Sequence, residues 1–312
     1  MNGPKPLREH VFEADEPVKL SICTITYNHA SYLRRCLEGF LDQLCYDRVE
    51  IIVHDDASTD GTADILRDYA ERYPSIIRPI LQEVNLFSKG VNPYYSLVFP
   101  ASKGDFIALC DGDDYWDDSA KISTQLAFLE AHADVAVTYG SVNAVRDGEI
   151  DEAYRNGLER NLSSDELKRG LPINSLTACF RNIFQDGPPV FLRNAPMGDM
   201  TVWAALGHHG RGVFLPELKP AYYRQHDGGI FSKKSLETQL FMGTITLLTM
   251  AAYHHAKSDR RASAACMKRA LGQIVMLNGA IATCMETLRK SISLLSKTLR
   301  RKVARSKRGG DR

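Results

Sequence analysis

Apolar and polar positions follow two alternating patterns in the first half of the chain. Short continuous runs of β-branched and apolar residues predict strands, and apolar residues recurring every three to four positions predict helices. The predicted strands are 18–26, 49–54, 76–81, 105–110 and 135–139, and the predicted helices are 31–44, 62–73, 93–101 and 119–132. Strands that alternate with helices predict a Rossmann-like α/β fold, a mostly parallel sheet flanked by helices.

The second half of the chain is patterned differently. Residues 140–232 are rich in turns and short strands, and the pattern from 233 onward is helical and free of proline. The last 24 residues, 289–312, hold ten Lys or Arg and one Asp, with apolar residues between them. Such a tail suits either a helix lying on an anionic membrane surface or a solvated helix end.

Composition narrows the class of protein. The chain has 312 residues, of which 44% are hydrophobic and 25% charged, as in ordinary globular proteins. A net charge of +1 argues against a nucleic-acid partner. Seven scattered cysteines without a C-x-x-C pair argue against zinc and favour a reducing compartment. The polar N-terminal segment and the lack of a long apolar run lead us to expect a cytoplasmic protein, with peripheral contact at the inner membrane face as a further option.

Polar residues follow three of the predicted strands, at the point where each strand ends. Thr26-Tyr27-Asn28 follows the first strand, Asp55-Asp56 the second and Asp111-Gly112-Asp113 the fourth. Because ligands of open α/β sheets bind beyond the carboxyl ends of the strands, we expect these segments to form one site.

The segment Asp111-Gly112-Asp113-Asp114 concentrates negative charge directly after a buried strand. Asp111 and Asp113 are hard oxygen donors that can hold Mg²⁺ or Mn²⁺ and leave coordination positions open for a diphosphate. Asp117 and Asp118 suit the start of the following helix. A calcium EF-hand loop is excluded, because the Gly and the final Glu that it requires are replaced.

Two further residues at these strand ends suit a nucleotide. Asp55 and Asp56 cannot both be buried without partners, so one of them is available to a base N–H or a ribose hydroxyl. Tyr27 can stack on a nucleobase, although for this residue taken alone a tyrosine that merely covers the end of the sheet is the better explanation.

Three of these stretches together resemble the family 2 glycosyltransferases of GT-A fold. They read SICTITYNHASYLRRCLEGFLDQ, VEIIVHDDASTDGT and KGDFIALCDGDDYWDDSAKISTQLAFLE. The resemblance implies a polar leader over 1–16, a GT-A domain over 17–232 and a helical extension with a basic tail over 233–312. Two positions depart from the family pattern, Ile25 where proline is frequent and Phe87 where a glycine often follows the leucine.

The resemblance also implies roles for the residues at the strand ends. Tyr27 would line the base pocket, and Asp56 would contact the base, usually uracil. Asp111 would face the ribose, and Asp113 would hold the divalent metal that bridges the diphosphate. Asp114 belongs to the same motif.

Three residues outside these stretches complete the expected site. Asp199, in GDMTVW, matches the place of the general base in the family, and it also suits a helix N-cap. His226, in YRQH, would complete the metal shell or meet the diphosphate, or else order its loop. Arg224 would neutralise the leaving phosphate or form a structural ion pair. The pairs His208-His209 and His254-His255 lack acids at ligand spacing and are expected at the surface.

The expected reaction is an inverting transfer of a sugar from a nucleoside diphosphate, UDP being favoured, to a glycan or lipid-linked acceptor in surface polysaccharide assembly. Two alternatives remain open at this point. The text LCDGDDY partly matches the aspartyl-phosphate motif of haloacid-dehalogenase-like phosphatases, with Asp111 as the nucleophile. A catalytically inactive nucleotide-sugar-binding protein is the other.

Overall fold

A computed structural model describes residues 3–154, 156–226 and 234–277. The strands are β1 Lys5–Pro6, β2 Val18–Thr26, β3 Leu44–Cys45, β4 Arg48–Asp55, β5 Ile77–Leu81, β6 Phe106–Leu109, β7 Val135–Tyr139, β8 Val142–Arg146, β9 Glu149–Asp151, β10 Cys179–Arg181, β11 Arg211–Phe214 and β12 Ala221–Gln225. The α-helices are α1 Leu33–Leu41, α2 Thr62–Arg72, α3 Phe99–Ala101, α4 Lys121–Ala131, α5 Ser164–Lys168, α6 Gly198–Leu206, α7 Leu236–Ala256 and α8 Arg260–Leu277.

A seven-stranded sheet forms the centre of the fold, in the order β11-β7-β10-β6-β2-β4-β5. All neighbouring pairs are parallel except the two that involve β10. The predicted α/β class and its mostly parallel sheet are therefore confirmed. The predicted strands 18–26 and 135–139 have the bounds expected from the pattern, and the other three differ at their ends by one residue.

Strand β2 shows why a continuous apolar run becomes a central strand. Successive side chains of a strand point to opposite faces of the sheet. Leu20 and Ile22 pack into one hydrophobic core, whereas Cys23 and Ile25 contribute to the core on the other face. Because both faces are covered, apolar residues occur on both of them.

Two predicted helices differ from the structure for identifiable reasons, one a distant contact and the other local. The first helix ends at Leu41 rather than at residue 44, because Leu44–Cys45 pairs with Lys5–Pro6 as an antiparallel strand. The segment 93–101 begins as a π-helix over Tyr94–Val98, in which the Phe99 amide donates to the Tyr94 carbonyl. Pro100 has no amide hydrogen to donate to the carbonyl four residues earlier, which disfavours a regular helix at this point.

A small second sheet has the order β12-β8-β9. It places the segment after β12 beside residues 111–114, which we call the acidic turn. Tyr222 in β12 bridges to Tyr115, and their rings stack with centroids 4.6 Å apart. This contact connects residues that are far apart in the sequence, and it fixes where Arg224 and His226 lie.

Helix α7 packs against α8 and against α6. The Met197 amide donates to Thr246 Oγ1 at 3.1 Å, and Lys168 pairs with Asp259 at 2.8 Å. The expectation of surface histidines is wrong for His254, which is fully buried and hydrogen-bonded to His208 at 2.9 Å. The basic tail 289–312 lies outside the described residues.

Candidate active site

The carboxyl ends of three adjacent strands bring the polar segments together. β2 lies between β4 and β6, and the segments that follow both neighbours bond to its last residues. The Asp56 amide donates to the Thr26 carbonyl at 3.0 Å, and the Gly112 amide donates to the Ile25 carbonyl at 2.9 Å. The segments therefore meet at one edge of the sheet, as the strand pattern predicts.

The acidic turn is fixed by Arg224. The Arg224 amide donates to Asp114 Oδ1 at 2.9 Å, and its guanidinium donates to the Asp113 carbonyl at 2.6 Å while lying 4.4 Å from the centre of the Tyr115 ring. Burial and the nearby charge of Asp113 raise the pKa of Asp114 well above its usual value. Arg224 thus acts on the backbone of the turn, and Asp114 serves as an internal acceptor.

Asp111 is paired with a tyrosine that the sequence did not single out. The Tyr94 hydroxyl donates to Asp111 Oδ1 at 2.6 Å. Burial and the negative charge of Asp113 raise the pKa of Asp111 to about 7, against the opposing effect of the tyrosine hydrogen bond. Tyr94 was missed because it belongs to the π-helical turn, which has no recognisable periodicity.

Asp113 is the acid around which nitrogen ligands gather. Its Oδ2 lies 3.0 Å from His226 Nε2 and 3.7 Å from His29 Nε2. Burial acts to raise the pKa of Asp113, but the His226 hydrogen bond and the nearby His29 outweigh it, and the pKa is lowered. One ligand-type atom from each of these three residues lies within 4.8 Å of the others. His29 was missed, although its place three residues beyond the end of β2 was a usable signal.

The cluster has the donor chemistry of a divalent metal site. A carboxylate oxygen and imidazole nitrogens are ligands that Mn²⁺ and other first-row ions accept. The Nδ1 of His29 is buried without a hydrogen-bond partner, and a Cβ added at Gly112 would lie 3.3 Å from it. Glycine at this position leaves the room that the ring requires, so the residues present fit a bound cation.

Asp199 is the second residue of α6, and its side chain is exposed to solvent. The protein mass around it nevertheless disfavours the charged form and raises the pKa of its carboxyl. As an acid in the first turn of a helix, it lies near backbone amides that favour its charged form and partly oppose this effect. Thr201 of the same helix is hydrogen-bonded to the Tyr95 hydroxyl at 2.8 Å, and the adjacent Tyr94 binds Asp111, so α6 adjoins the segment that contacts the acidic turn.

The predicted base-binding residues lie beside this cluster rather than in it. Asp56 is buried, and its two oxygens accept hydrogen bonds from the amides of Leu86 and Phe87, at 2.7 and 3.0 Å. A carboxylate oxygen can accept a further hydrogen bond, so these contacts anchor the loop without using all of its lone pairs. Tyr27 is 39% exposed at the end of β2.

The two acids that follow the turn act structurally. Asp117 forms an ion pair with Arg35. Asp118 accepts hydrogen bonds from the amides of Ala120, at 3.2 Å, and Lys219, at 3.0 Å. The expectation of an acid directly at the helix start holds only in part, because the residue that precedes α4 is Ala120.

Comparison with known families gives one match over residues 21–186, to glycosyl transferase family 2. An uncharacterized protein of Mycobacterium tuberculosis is 33% identical over 259 residues, which cover 78% of this chain and 71% of the relative. The UDP-Glc:alpha-D-GlcNAc-diphosphoundecaprenol beta-1,3-glucosyltransferase WfaP of Escherichia coli is 26% identical over 238 residues, 75% of this chain and 88% of that protein.

Solved structures show the same fold at low sequence identity. TarS of S. aureus in complex with UDP-GlcNAc superimposes with a TM-score of 0.57 and 17% identity, over 74% of this chain and 66% of that one, just under two thirds of its length. The mannosyltransferase PcManGT of Pyrobaculum calidifontis, in complex with GDP-Man and Mn²⁺, gives a TM-score of 0.51 and 15% identity over 94% of this chain and 84% of that one.

Proposed function

The chain belongs to glycosyl transferase family 2, and from that premise we propose that it is a metal-dependent, inverting glycosyltransferase. It would move a sugar from a nucleoside diphosphate to an acceptor hydroxyl. The observation that supports this most strongly is the acidic turn at the carboxyl edge of the sheet, where His226 and His29 face Asp113 at 3.0 and 3.7 Å. The family match replaces the phosphatase alternative, because it covers the same acidic turn.

The acidic turn and β12 would bind the diphosphate side of the donor. Asp113 and His226 would hold a divalent cation, which when bound would supply positive charge to the diphosphate leaving group. Asp111, oriented by Tyr94, would accept a hydrogen bond from the ribose. Arg224 would keep the turn in place through the Asp113 carbonyl.

The nucleobase would lie over the ends of β2 and β4. Tyr27 offers an exposed ring for stacking there, and Asp56 offers a carboxylate whose orientation is fixed by two backbone amides. We propose UDP as the nucleotide, because the names of two related proteins contain UDP sugars. A thermal-shift comparison of UDP, GDP, CDP and dTDP with Mn²⁺ tests this choice, and stabilisation by GDP alone would contradict it.

Asp199 would act as the general base. A sugar hydroxyl is far too weak an acid to ionise at neutral pH, so its proton must pass to a base as the oxygen attacks. In this step the hydroxyl proton moves to the Asp199 carboxylate and the acceptor oxygen bonds to the anomeric carbon. The bond from that carbon to the nucleoside diphosphate breaks, and a single displacement inverts the configuration. The raised pKa of Asp199 makes its carboxylate a stronger base.

The Asp199→Asn variant tests this assignment. We expect the transfer rate to fall by about 10²–10⁴-fold while donor affinity is kept. Asp165→Asn is a matched control, since Asp165 is also the second residue of a helix and lies outside the site. Near-normal transfer by Asp199→Asn would remove the base assignment. A wild-type chain that binds UDP sugars but neither transfers nor hydrolyses them would instead support the inactive binding protein.

The acceptor is proposed to be a glycan carried on a lipid, in the assembly of a surface polysaccharide. The name of the Escherichia coli relative contains a diphosphoundecaprenol-linked acceptor, and a Bacillus subtilis relative is named for teichuronic acid biosynthesis. A lipid-linked acceptor would require the protein to approach a membrane.

Peripheral membrane contact through the C-terminal part is the corresponding proposal. Within the described residues, no helix has the length and apolar character needed to span a bilayer. Helix α8 exposes Met267, Leu271 and Val275, which are four residues apart and so lie along one stripe, and the basic segment 289–312 follows.

Co-sedimentation with vesicles tests this contact. We expect binding to phosphatidylglycerol vesicles that weakens at high salt, little binding to phosphatidylcholine, and reduced binding of Leu271→Glu. Equal recovery in the supernatant with both lipids would contradict the proposal.

A further inference from the structure

The histidine at position 29 lies in the cluster around Asp113, and the motif comparison assigned it no role. It comes from the loop after β2, whereas Asp113 follows β6 and His226 follows β12. Three separate parts of the chain thus bring two imidazoles to one carboxylate, with Nε2 to Oδ2 distances of 3.7 and 3.0 Å. Two ligand atoms bound at a right angle to one first-row cation lie about 3 Å apart, so both separations are close to those of a shared ion.

The backbone of His29 is fixed on both sides. Its amide donates to Thr62 Oγ1 at 2.9 Å, in the segment that follows Asp55-Asp56. Its carbonyl accepts hydrogen bonds from the amides of Tyr32 and Leu33, both at 2.9 Å, where α1 begins. The ring is therefore carried by a rigid junction of the fold, which is the kind of support a metal ligand needs.

The ring is closely enclosed by its neighbours. The His29 side chain is only 15% exposed. Its Nδ1 and the Thr26 Oγ1 are buried without hydrogen-bond partners, and a Cβ at Gly112 would lie 3.3 and 2.9 Å from them. The ring also lies edge-on to His226, with centroids 5.8 Å apart. The unpartnered nitrogen is not the one that faces Asp113, so the ligand role rests on the Nε2 atom and its 3.7 Å separation from Asp113 Oδ2.

We propose that His29 is a third protein ligand of the cation held by Asp113 and His226, and that this two-imidazole set selects Mn²⁺ or Co²⁺ over Mg²⁺. The inference rests on the proposed function, since it concerns the same site. Mg²⁺ prefers oxygen ligands, whereas imidazole nitrogen favours first-row transition ions, with affinity rising from Mn²⁺ to Co²⁺. A site of carboxylates alone would not make that distinction.

Mn²⁺ binding to the metal-stripped full chain tests the proposal without relying on activity. Titration followed by electron paramagnetic resonance gives the affinity, and electron spin-echo modulation from ¹⁴N counts the imidazoles bound to Mn²⁺. We expect coupling from two imidazoles in the wild type and from one in His29→Ala, with Mn²⁺ affinity lower by at least about tenfold. The affinity for Mg²⁺, measured by competition against Mn²⁺, should change little. The ratio of Mn²⁺ affinity to Mg²⁺ affinity should therefore be smaller in His29→Ala than in the wild type.

Two further variants distinguish a wrong assignment of His29 from the absence of a metal site at Asp113. His255→Ala removes an exposed histidine of α7 and should bind Mn²⁺ like the wild type. Unchanged affinity and unchanged nitrogen coupling in His29→Ala, together with weak binding by Asp113→Asn, would overturn the role of His29 and leave the metal site intact. Wild-type binding by Asp113→Asn would instead remove the metal site of the proposed function.

If His29→Ala fails to fold, the wild-type spectrum and a second variant, His29→Asn, test the proposal. Coupling from a single imidazole in the wild type would overturn the proposal. Coupling from two imidazoles that is lost in part in His29→Asn, where an amide replaces the ring, would support it.

Discussion

Two histidine pairs in this molecule have opposite surroundings. His29 and His226 lie against the carboxylate of Asp113 at the edge of the sheet. His208 and His254 lie between the end of α6 and α7, where His254 Nε2 lies 2.8 Å from the Lys168 carbonyl and Nδ1 lies 2.9 Å from His208 Nε2. A carbonyl only accepts, so His254 must donate from Nε2 and accept at Nδ1. Both nitrogens of His254 are used within the protein, and none is left for a ligand.

The difference shows what separates a binding histidine from a structural one. Both pairs combine two imidazoles at short distance, and residue type alone does not tell them apart. The first pair faces an acid and is reached by solvent, whereas the second closes its hydrogen bonds internally. Substitutions in the first region should therefore change activity, and substitutions in the second should change stability.

Asp113→Asn should have the largest effect. Removing the charged oxygen ligand is expected to lower kcat/KM by about 10³-fold or more, because a metal contributes several kcal/mol of charge stabilisation. The midpoint of thermal unfolding without metal should stay close to that of the wild type. Steady-state kinetics with Mn²⁺, together with thermal melting, check both parts. A large loss of stability with retained kcat/KM would contradict the division between the two regions.

His254→Ala should show the converse behaviour. The substitution leaves a cavity and removes the donor to the Lys168 carbonyl, which should lower the free energy of unfolding by about 2–4 kcal/mol. The kcat of the folded fraction should be unchanged. Urea unfolding measures the first quantity, and activity normalised to folded protein measures the second. His255→Ala on the exposed side of α7 is the matched control and should affect neither.

Tyr94→Phe should have a smaller effect that sharpens the comparison within the active site. It removes one hydrogen bond to Asp111 and keeps the ring, so donor KM is expected to rise by roughly tenfold. Tyr95→Phe is a useful control, because the Tyr95 hydroxyl bonds to Thr201 rather than to the acidic turn. Equal kinetics for Tyr94→Phe and the wild type would mean that Asp111 does not need this orientation.

The smallest effect should be a pH dependence of stability from the second pair. Burial lowers the pKa of His208 to about 4 and also lowers the pKa of His254. Both histidines are then neutral in the folded state, and the unfolded chain binds more protons below its ordinary histidine pKa of about 6.5. Stability should therefore fall as the pH drops from about 6.5 towards 4.

Urea unfolding between pH 7.5 and 4.5 measures this slope. The slope should be shallower in a His208→Gln/His254→Gln double variant, because the groups that take up protons on unfolding are gone. An identical slope in the double variant would assign the acid sensitivity to other residues, such as the carboxylates of the active site.

The sequence predicted the sheet well because its signals are local. The runs at 18–26 and 135–139 are apolar on both faces, and a chain segment of that kind can only be buried within a sheet. The helices were less well bounded where a distant contact intervened, as at Leu44, which pairs with the N-terminal Pro6. The domain boundaries at 16 and 232 stay predictions.

The candidate site was predicted in part. Asp111 and Asp113 lie in one turn, and α6, which carries Asp199, contacts the segment next to Tyr94. Asp56 is instead turned towards the loop amides of Leu86 and Phe87. The roles of all these residues stay predictions. Tyr94 and His29 were missed because their contacts with the acids span 17 and 84 positions, although His29 does follow the end of β2 closely.

The sequence by itself determined the parallel sheet and the row of acids at its carboxyl edge, because burial and strand polarity follow from the order of residues alone. Only the tertiary structure decided which nitrogen faces which carboxylate. It joined His29, Asp113 and His226 from three distant segments and buried His254 of α7, since hydrogen bonds and desolvation depend on neighbours in space rather than along the chain.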